Sequence, residues 1–325
     1  MKKILVSGAS GIVGYGILRS LRKADPTLHL IGSSMYTDSV APAFCDIFKL
    51  APATSTSGYL NWLCATISRH QIDLIIPGIE IDLHSWSASL ALIERHGARV
   101  VMNRPELVAL CQDKWAFYTS LMAAGMPCII DSSLDNSYEA LVAAYGLPFL
   151  LKPRRGFGSK GIVRVDSAAT FERHRHDIGL RLMAQPIVGN DDNEFTTSAF
   201  CDGNGGYHAS ITLRRKLSKD GFTDKAEVVD AAQFRETLER LCQHYLPIGP
   251  TNFQFRTCAD GVKLLEINPR ISSSTSIRTA FGYNESAMAV DFYLSGKIPT
   301  PPAIRRGHAV RYIEEHIFYD DRVHF

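Results

Sequence analysis

The chain has 325 residues, which predicts about two domains at roughly 150 residues each. Its 35 Lys and Arg residues against 33 Asp and Glu give a net charge of +2, so the charge balance indicates neither nucleic-acid binding nor an acidic tail. With 46% hydrophobic and 21% charged residues, the composition is typical of a globular protein and excludes a disordered or fibrous one. No run approaches the ~18 apolar residues of a membrane helix, so no membrane partner is expected.

Targeting signals are not expected either. The N-terminal apolar run is interrupted by Gly8, Gly11 and Gly14 and has no small-residue cleavage site. The 7 cysteines are scattered and form no CxxC pair, a pattern typical of free thiols in a reducing compartment. We therefore expect a cytoplasmic protein.

The first 110 residues alternate short apolar runs with amphipathic segments of about a dozen residues. This rhythm predicts a doubly wound parallel sheet, a Rossmann-like domain over residues 1–110. The expected strands are 3–7, 28–32, 46–50, 73–77 and 98–102, and the expected helices are 12–23, 59–70 and 83–96.

After residue 110 the pattern becomes mixed, with mostly antiparallel hairpin signals. A helix over 113–124 ends at Gly125, and Pro127 follows it. Expected strands are 147–153, 162–166, 181–185, 194–200, 207–215, 251–257, 262–270 and a last one at 308–318. Helices are expected between about 231 and 294, so this half is α+β.

The glycines at the N-terminus follow a strand and open a helix, as in a dinucleotide-binding turn. Such a unit carries an acidic residue at the end of its second strand, but here that strand ends at Ser34 and the nearest acid is Asp38. Two interpretations stay open. One is an NAD(P)-dependent oxidoreductase or epimerase that uses Gly8, Gly11 and Gly14, and the other is a structural or substrate-facing turn.

A lysine at the end of a buried strand introduces the second motif. Lys152 is followed by a loop that contains Gly156, Gly158 and Gly161. A lysine beside loop N–H groups suits a polyphosphate, because the cation pairs with phosphate oxygens while the amides hold the others. The loop does not end in Gly-Lys-Ser/Thr, so it differs from the Walker motif.

The third motif is a row of polar side chains near residue 268. In a strand, residues two apart share a face, so Glu266, Asn268 and Arg270 point together and Gln254 can join them across the hairpin. Carboxylate and amide oxygens suit Mg²⁺. The arginine can stabilise charge on a transferred phosphoryl group.

Taken in order, these motifs resemble the ATP-grasp superfamily. The set runs from Asp113-Lys114 through LPFLLKP and its glycine loop to Gln185-Pro-Ile-Val-Gly with Glu194, and on to Gln254 and EINPR at 266–270. It is most similar to the ATP-binding halves of the carbamoyl-phosphate synthase large subunit and to stand-alone carboxylate–amine ligases. The resemblance implies a pre-ATP-grasp domain over 1–110 and an ATP-grasp domain over 111–325. The latter would comprise a small ATP-lid subdomain (about 111–187) and a larger metal-binding subdomain (about 188–325).

The resemblance also implies a role for each matching residue, with ATP and Mg²⁺ (or Mn²⁺ in its place) as cofactors. The phosphates would be held by Lys114 and Lys152 and covered by Gly156, Gly158, Ser159 and Gly161. The adenine would meet the hinge at Gln185, Pro186 and Ile187, and the ribose would meet Glu194. The metal ligands would be Gln254, Glu266 and Asn268, and the catalytic residue would be Arg270.

The activity implied by the resemblance is an ATP- and Mg²⁺-dependent carboxylate–amine (or ammonia) ligation through an acyl phosphate, which releases ADP and phosphate. The partners would be small carboxylate and amine substrates, with a homodimer as a family-level expectation. A non-catalytic ATP-binding subunit of a larger ligase is a further alternative.

Some residues depart from the carbamoyl-phosphate synthase pattern, and the roles of others stay undecided. The second arginine of the carbamoyl-phosphate synthase motif is replaced by Ser273, and the segment 190–193 is two residues longer than in the most similar pattern. Glu80 and Asp82 are either substrate contacts or a helix N-terminal pair. Lys225 has no firm role, and the acid and amine are not identified.

Overall fold

The computed structural model describes residues 1–156, 158 and 160–319. Ser159, which the resemblance assigns to the phosphate loop, lies outside the described residues. In the described part of the chain the strands form three sheets, of five, three and six strands. The expected mixed architecture, with a parallel N-terminal sheet followed by antiparallel sheets, is present.

The N-terminal sheet is parallel, with strand order β3-β2-β1-β4-β5. Ile4 and Val6 of β1 pack into one core, whereas Leu5 between them packs into another, so both faces of the sheet are covered. The strands are β1 Lys3–Val6, β2 His29–Ser34, β3 Ile47–Leu50, β4 Leu74–Ile76 and β5 Arg99–Val100. The helices are α1 Ile12–Ala24, α2 Tyr59–His70, α3 Glu80–Ala88, α4 Leu90–Glu94 and α5 Pro105–Cys111.

The second sheet is small and antiparallel, with strand order β7-β6-β8. Its own core contains Phe149, Leu151, Val165 and Phe171, which are fully buried. The elements of this region are α6 Lys114–Ala123, α7 Tyr138–Tyr145, β6 Phe149–Pro153, β7 Val163–Val165, α8 Ala168–Glu172 and β8 Leu182–Pro186.

The third sheet is the largest, with strand order β13-β12-β9-β10-β11-β14 and antiparallel pairing throughout. Its strands are β9 Glu194–Asp202, β10 Tyr207–Leu217, β11 Thr223–Val228, β12 Ile248–Cys258, β13 Gly261–Asn268 and β14 His308–Val310. The accompanying helices are α9 Ala232–Tyr245, α10 Thr275–Ala280 and α11 Glu285–Ser295.

The C-terminal helices return to the N-terminal sheet. Ala289 and Val290 of α11, together with Ile271, are buried in the same core as Ile4 and Leu30. The first sheet ends at Val100 and the second begins at Phe149, so the expected boundary at residue 110 stays a prediction, and one hydrophobic core joins the first sheet to α11. The expected subdomain division near residue 187 stays a prediction.

Three expectations differ from the structure. The expected strand over 308–318 is paired only at His308–Val310, and Tyr312 and Ile313 beyond it are exposed. The expected helix 83–96 starts earlier and is divided at Ser89, whose backbone is not helical (φ −126°). Strand β11 was missed, because its sequence TDKAEV is mostly polar and its buried residues Thr223 and Ala226 are three positions apart, so it shows no alternation of apolar and polar residues.

In the described residues, no helix combines the length and the apolar character needed to cross a membrane. All seven cysteines are free, as expected.

Candidate active site

A cleft of about 350 Å³ lies between the small sheet and the large sheet. Both sheets contribute side chains to its walls, and Ile12 and Val13 at the start of α1 also line it. The cleft collects most of the residues singled out from the sequence: Lys114, Lys152, Gly156, Gly158, Gln185, Pro186, Glu194, Gln254, Glu266, Asn268 and Arg270. Ile187 and Gly161 are not among the lining residues, although both of Ile187's neighbours are.

Lys114 is placed in the cleft by its helix cap. The Asp113 carboxylate accepts the backbone N–H groups of Trp115 and Ala116 and so starts α6. The same carboxylate pairs with Arg154 at 2.9 Å, just after the end of β6. These contacts bring the Lys114 Nζ to 2.8 Å from the Gly156 carbonyl, at the start of the glycine loop.

Lys152 leaves the end of β6 and points into the cleft. Its Nζ donates to Gln185 Oε1 at 2.5 Å, across the antiparallel pair β6–β8. Burial lowers the pKa of this ammonium to about 8, although the nearby Glu266 carboxylate favours the charged form. A partly buried lysine with one neutral partner is suited to pair with an anionic ligand.

The glycine loop lies against the turn between β10 and β11. Gly221 in this turn has φ +80°, and a Cβ atom there would be 2.7 Å from the Gly158 carbonyl oxygen. Two backbones therefore meet at a separation that only glycine permits. The loop and the turn together form one wall of the cleft, which also contains Asp220 and Phe222.

The polar row on β12 and β13 is assembled as the spacing suggested. Gln254 lies directly opposite Glu266, and Asn252 lies opposite Asn268. Asn268 Nδ2 donates to Glu266 Oε1 at 3.0 Å, and Arg270 Nη2 donates to Asn268 Oδ1 at 3.2 Å. A carboxylate and amide oxygens converge on the cleft, which is a donor set that fits Mg²⁺. Their role as metal ligands stays a prediction.

Two arginines in the cleft were missed by the sequence analysis. Arg215 on β10 donates to Glu194 Oε1 at 3.0 Å, and Arg256 on β12 donates to Glu194 Oε2 at 2.9 Å. Glu194 is almost fully buried, so its carboxylate is held by one cation on each oxygen. Neither arginine belongs to a recognisable motif, and only the strand register brings them together. The ribose-binding role of Glu194 stays a prediction.

Glu80 and Asp82 have different surroundings. Both lie in the first turn of α3, whose N-cap is Ile79, so neither is a capping residue. Asp82 is buried and accepts a hydrogen bond from Thr54 Oγ1 at 2.5 Å, away from the cleft. Glu80 instead accepts from Arg270 Nη2 at 2.9 Å, which places it beside Arg270; its role as a substrate contact stays a prediction.

Lys225 and the N-terminal glycines, which were also candidates from the sequence, lie apart from the polar row on β12 and β13. Lys225 is exposed on β11 and does not line the cleft. In the N-terminal glycine turn, a Cβ atom on Gly14 would be 2.2 Å from the Gly8 carbonyl oxygen, so backbone packing alone accounts for this glycine.

The other end of the cleft is apolar. Ile130, Leu150, Val188 and Leu265 line it beside Pro186. A site with an apolar end and a charged, amide-rich end suits a ligand that carries a flat ring at one end and phosphate at the other.

Comparison with known proteins gives a consistent result. A family model described as "ATP-grasp in the biosynthetic pathway with Ter operon" matches residues 182–316. The carbamoyl phosphate synthase large chain of Thermotoga sp. (strain RQ2) is 21% identical over 322 residues, a match that covers 87% of this chain and 28% of that protein. The chain thus spans under a third of the length of this relative.

Among solved structures, a biotin carboxylase complex with β,γ-ATP from Campylobacter jejuni matches with a TM-score of 0.73 at 16% identity, covering 94% of this chain and 74% of the other. The ADP complex of N5-carboxyaminoimidazole synthetase from Staphylococcus aureus matches with a TM-score of 0.72 at 16% identity, covering 93% and 80%. At these identities the likeness establishes the fold.

Proposed function

We propose that this chain, which matches an ATP-grasp family model over residues 182–316, is an ATP-grasp protein and an ATP- and Mg²⁺-dependent ligase that joins a carboxylate to an amine or to ammonia. ATP phosphorylates the carboxylate, and the amine then attacks the acyl phosphate and displaces phosphate. The products are an amide, ADP and phosphate.

One observation carries this proposal: a single cleft contains Lys114 and Lys152, a glycine loop and an acidic–amide row, which are the kinds of group that phosphoryl transfer needs. Such a reaction requires positioning and neutralisation of charge rather than a covalent nucleophile. Lys152 approaches from the small sheet and Lys114 from the start of α6, whereas Glu266 and Asn268 approach from the large sheet. The phosphates of a nucleotide would lie between these two sets.

Each group has a task in this scheme. Glu266 and Asn268 would hold Mg²⁺, which supplies charge neutralisation at the phosphate oxygens, and Gln254 adjoins them. Arg270 lies beyond the metal-binding row and would stabilise charge on the phosphoryl group in transfer. The apolar end around Ile130 and Leu265 would receive the adenine. The solved relatives bound to ADP and to β,γ-ATP support this ligand class.

The primary experiment is calorimetric titration of ADP and of the β,γ-imido analogue of ATP, with and without Mg²⁺. The wild type is expected to bind both, more tightly with Mg²⁺, and Glu266→Gln is expected to lose most of the Mg²⁺ effect. Glu227→Gln, an exposed glutamate on β11 that pairs with Arg214, is the matched control. NADH binding without any adenine-nucleotide binding would contradict the proposal and favour an oxidoreductase.

A second experiment separates an enzyme from a binding subunit. Phosphate release from ATP would be measured against a panel of small carboxylates with ammonia or amines. Arg270→Ala is expected to lower kcat by at least about tenfold while the Kd for ADP changes little. Tight nucleotide binding without phosphate release on any acid would instead favour a non-catalytic subunit.

A further inference from the structure

A buried ion pair lies behind the wall of the cleft. Arg278 of α10 and Glu285 of α11 are both fully buried, and Arg278 Nη1 donates to Glu285 Oε1 at 3.0 Å. The two charges cancel, so the pair adds no net charge to the core. A buried ion pair is often no more stabilising than apolar side chains of similar volume. Stability alone therefore does not account for its presence.

The other donors of Arg278 hold polar side chains next to the cleft. Nη1 also donates to Ser272 Oγ at 2.9 Å, and Nη2 donates to Thr196 Oγ1 at 2.9 Å and to Asn252 Oδ1. Asn252 lies directly opposite Asn268 on the neighbouring strand, and Ser272 itself lines the cleft. One guanidinium thus orients three polar side chains at the edge of the candidate site.

The contact with Arg278 determines the role of the Ser272 hydroxyl. A serine hydroxyl has one proton to donate and two lone pairs that accept, whereas an arginine in a protein is always protonated and only donates. Ser272 Oγ therefore accepts from Arg278, and its own proton is left for another acceptor. Among the described residues, no acceptor lies within hydrogen-bond distance of this hydroxyl, although Ser272 is only 5% exposed. A ligand in the cleft would satisfy it.

Ser272 lies at the end of the cleft that contains Arg270. It follows Arg270 by two positions, and both residues line the cleft. Helix α1 packs against α10 there, because a Cβ atom on Gly16 would lie 3.1 Å from the Thr275 side chain. The residues one turn before these two, Ile12 and Ser272, both line the cleft. In the proposed reaction, this end is where the acceptor meets the phosphoryl group.

We propose that Ser272 binds the acceptor carboxylate and that Arg278 is the positioning residue that directs the Ser272 proton towards it. A hydroxyl that already accepts from a guanidinium is a stronger donor, and it donates best to an anionic oxygen. The carboxylate therefore fits this position better than the amine does. This inference rests on the proposed function, because it assumes that the cleft activates a carboxylate with ATP.

The first test uses Ser272→Ala in the phosphate-release assay, with the carboxylate that gives the fastest release by the wild type. The KM for this carboxylate is expected to rise at least about fivefold, because a charged oxygen loses its donor. The kcat and the Kd for ADP should each change less than about twofold. Ser274→Ala is the matched control, since Ser274 is buried in the same segment but pairs with Thr223 and does not line the cleft; its KM should equal that of the wild type.

The second test determines whether Arg278 acts through Ser272. Arg278→Lys keeps a positive charge beside Glu285 but cannot bond all of its other partners at once. It is expected to raise the KM for the carboxylate severalfold, and the double variant with Ser272→Ala should have the same KM as Ser272→Ala alone. Effects that add in the double variant would overturn the positioning role. If Arg278→Lys does not fold, Arg278→Met combined with Glu285→Leu removes both charges, leaves neither unpaired, and should raise the KM in the same way.

The failure of this inference differs from the failure of the proposed function. An unchanged KM in folded Ser272→Ala would show that the hydroxyl donates to an ordered water only, and it would overturn the inference while the ligase function stands. A Kd for ADP that weakens as much as the KM rises would also overturn it, because the hydroxyl would then serve the nucleotide. A wild type that releases phosphate with no carboxylate at all would instead remove the proposed function itself.

Discussion

Arg270 and Glu80 form an ion pair at 2.9 Å that joins the end of β13 to the first turn of α3, although the two residues lie 190 positions apart. Glu80 comes from the parallel-sheet half of the chain, and Arg270 follows the polar row of Glu266 and Asn268. Both side chains are mostly buried, with 24% and 15% exposure. The proposed catalytic arginine is therefore oriented by the other half of the molecule.

This pair predicts a pH-dependent contribution to stability. Burial raises the pKa of Glu80, but the neighbouring His84 and the charge of Arg270 outweigh it and lower the pKa from 4.5 to about 2. Because the folded-state pKa is depressed, the stabilisation is complete above pH 4.5 and is lost as the pH falls toward 2. Glu80→Gln is expected to cost about 1–3 kcal/mol at pH 7 in urea unfolding.

The difference between wild type and Glu80→Gln should shrink as the pH falls below about 5. Glu94→Gln provides the control, because its pair with Arg99 is longer, at 3.9 Å, and more exposed. That variant should cost under about 1 kcal/mol. A Glu80→Gln effect that stays constant from pH 7 to 3.5 would rule out the ion pair as its source.

The pKa of Lys152, which burial lowers, predicts that ADP affinity depends on pH in the alkaline range. Burial lowers its pKa from 10.5 to about 8, so the neutral amine becomes the main form as the pH rises above 8. ADP affinity should therefore fall as the pH rises from 7 to 9, because the neutral amine does not attract phosphate. Calorimetry across this range on wild type and Lys152→Arg provides the measurement. The arginine variant stays charged, and a decline of the same size in both proteins would contradict the assignment.

The lowered pKa of Lys152 also affects the stability of the protein without nucleotide. The unfolded chain binds more protons than the folded one between pH 8 and 10.5, so Lys152 makes stability rise with pH in this window. Lys152→Met removes this contribution. Urea unfolding at pH 8 and pH 10 should therefore show a smaller gain with pH in the variant than in the wild type.

The close contact of Gly221 with Gly158 predicts that a side chain at position 221 displaces the glycine loop. Gly221→Ala would place a Cβ atom 2.7 Å from the Gly158 carbonyl oxygen and force the loop away from the β10–β11 turn. ADP dissociation should accelerate, measured by stopped-flow displacement. Gly261→Ala is the control, since its φ of +97° imposes similar backbone strain while no atom of the described residues lies within 4 Å of the added Cβ. Equal dissociation rates in the two variants would show that strain, rather than the loop contact, is responsible.

The close packing of Gly14 against Gly8 predicts that the N-terminal glycines have a structural role. A Cβ atom on Gly14 would be 2.2 Å from the Gly8 carbonyl oxygen, so Gly14→Ala should destabilise the fold by about 2 kcal/mol or more. Gly58→Ala, with open space around the added atom, should stay within about 0.5 kcal/mol of wild type. Thermal unfolding would measure both. A stable Gly14→Ala variant that loses NADH binding would instead support the dinucleotide interpretation.

The sequence was most informative where local rules apply. Period-two alternation placed Glu266 and Asn268 on one face, and the turn at Asp260-Gly261 made Gln254 their neighbour across the hairpin. The positions of Arg215 and Arg256 could not be predicted, because their approach to Glu194 depends on the register of β9 with two other strands. The Glu80–Arg270 pair could not be predicted for a similar reason, since it depends on how the two halves of the chain pack.

The strand expected over 308–318 shows a different limit. Its amphipathic sequence fits a strand, but β14 lies at the edge of the sheet and pairs with β11 over only three residues. Such a sequence can form a strand, whereas the length of the strand depends on the partner that is present. Strand β11 illustrates the converse, since it forms from a polar sequence because two neighbouring strands supply its hydrogen bonds.

The return of α11 to the first sheet bears on how the protein is made. Ile271, Ala289 and Val290 complete the core that begins with Ile4 and Leu30. On a ribosome, residues 1–110 emerge with that apolar face covered only in part, by α1, and it is completed only after α11 has been synthesised, nearly two hundred residues later. Until then the nascent chain would expose apolar surface to chaperones, and its first sheet would be among the last parts to become fully native.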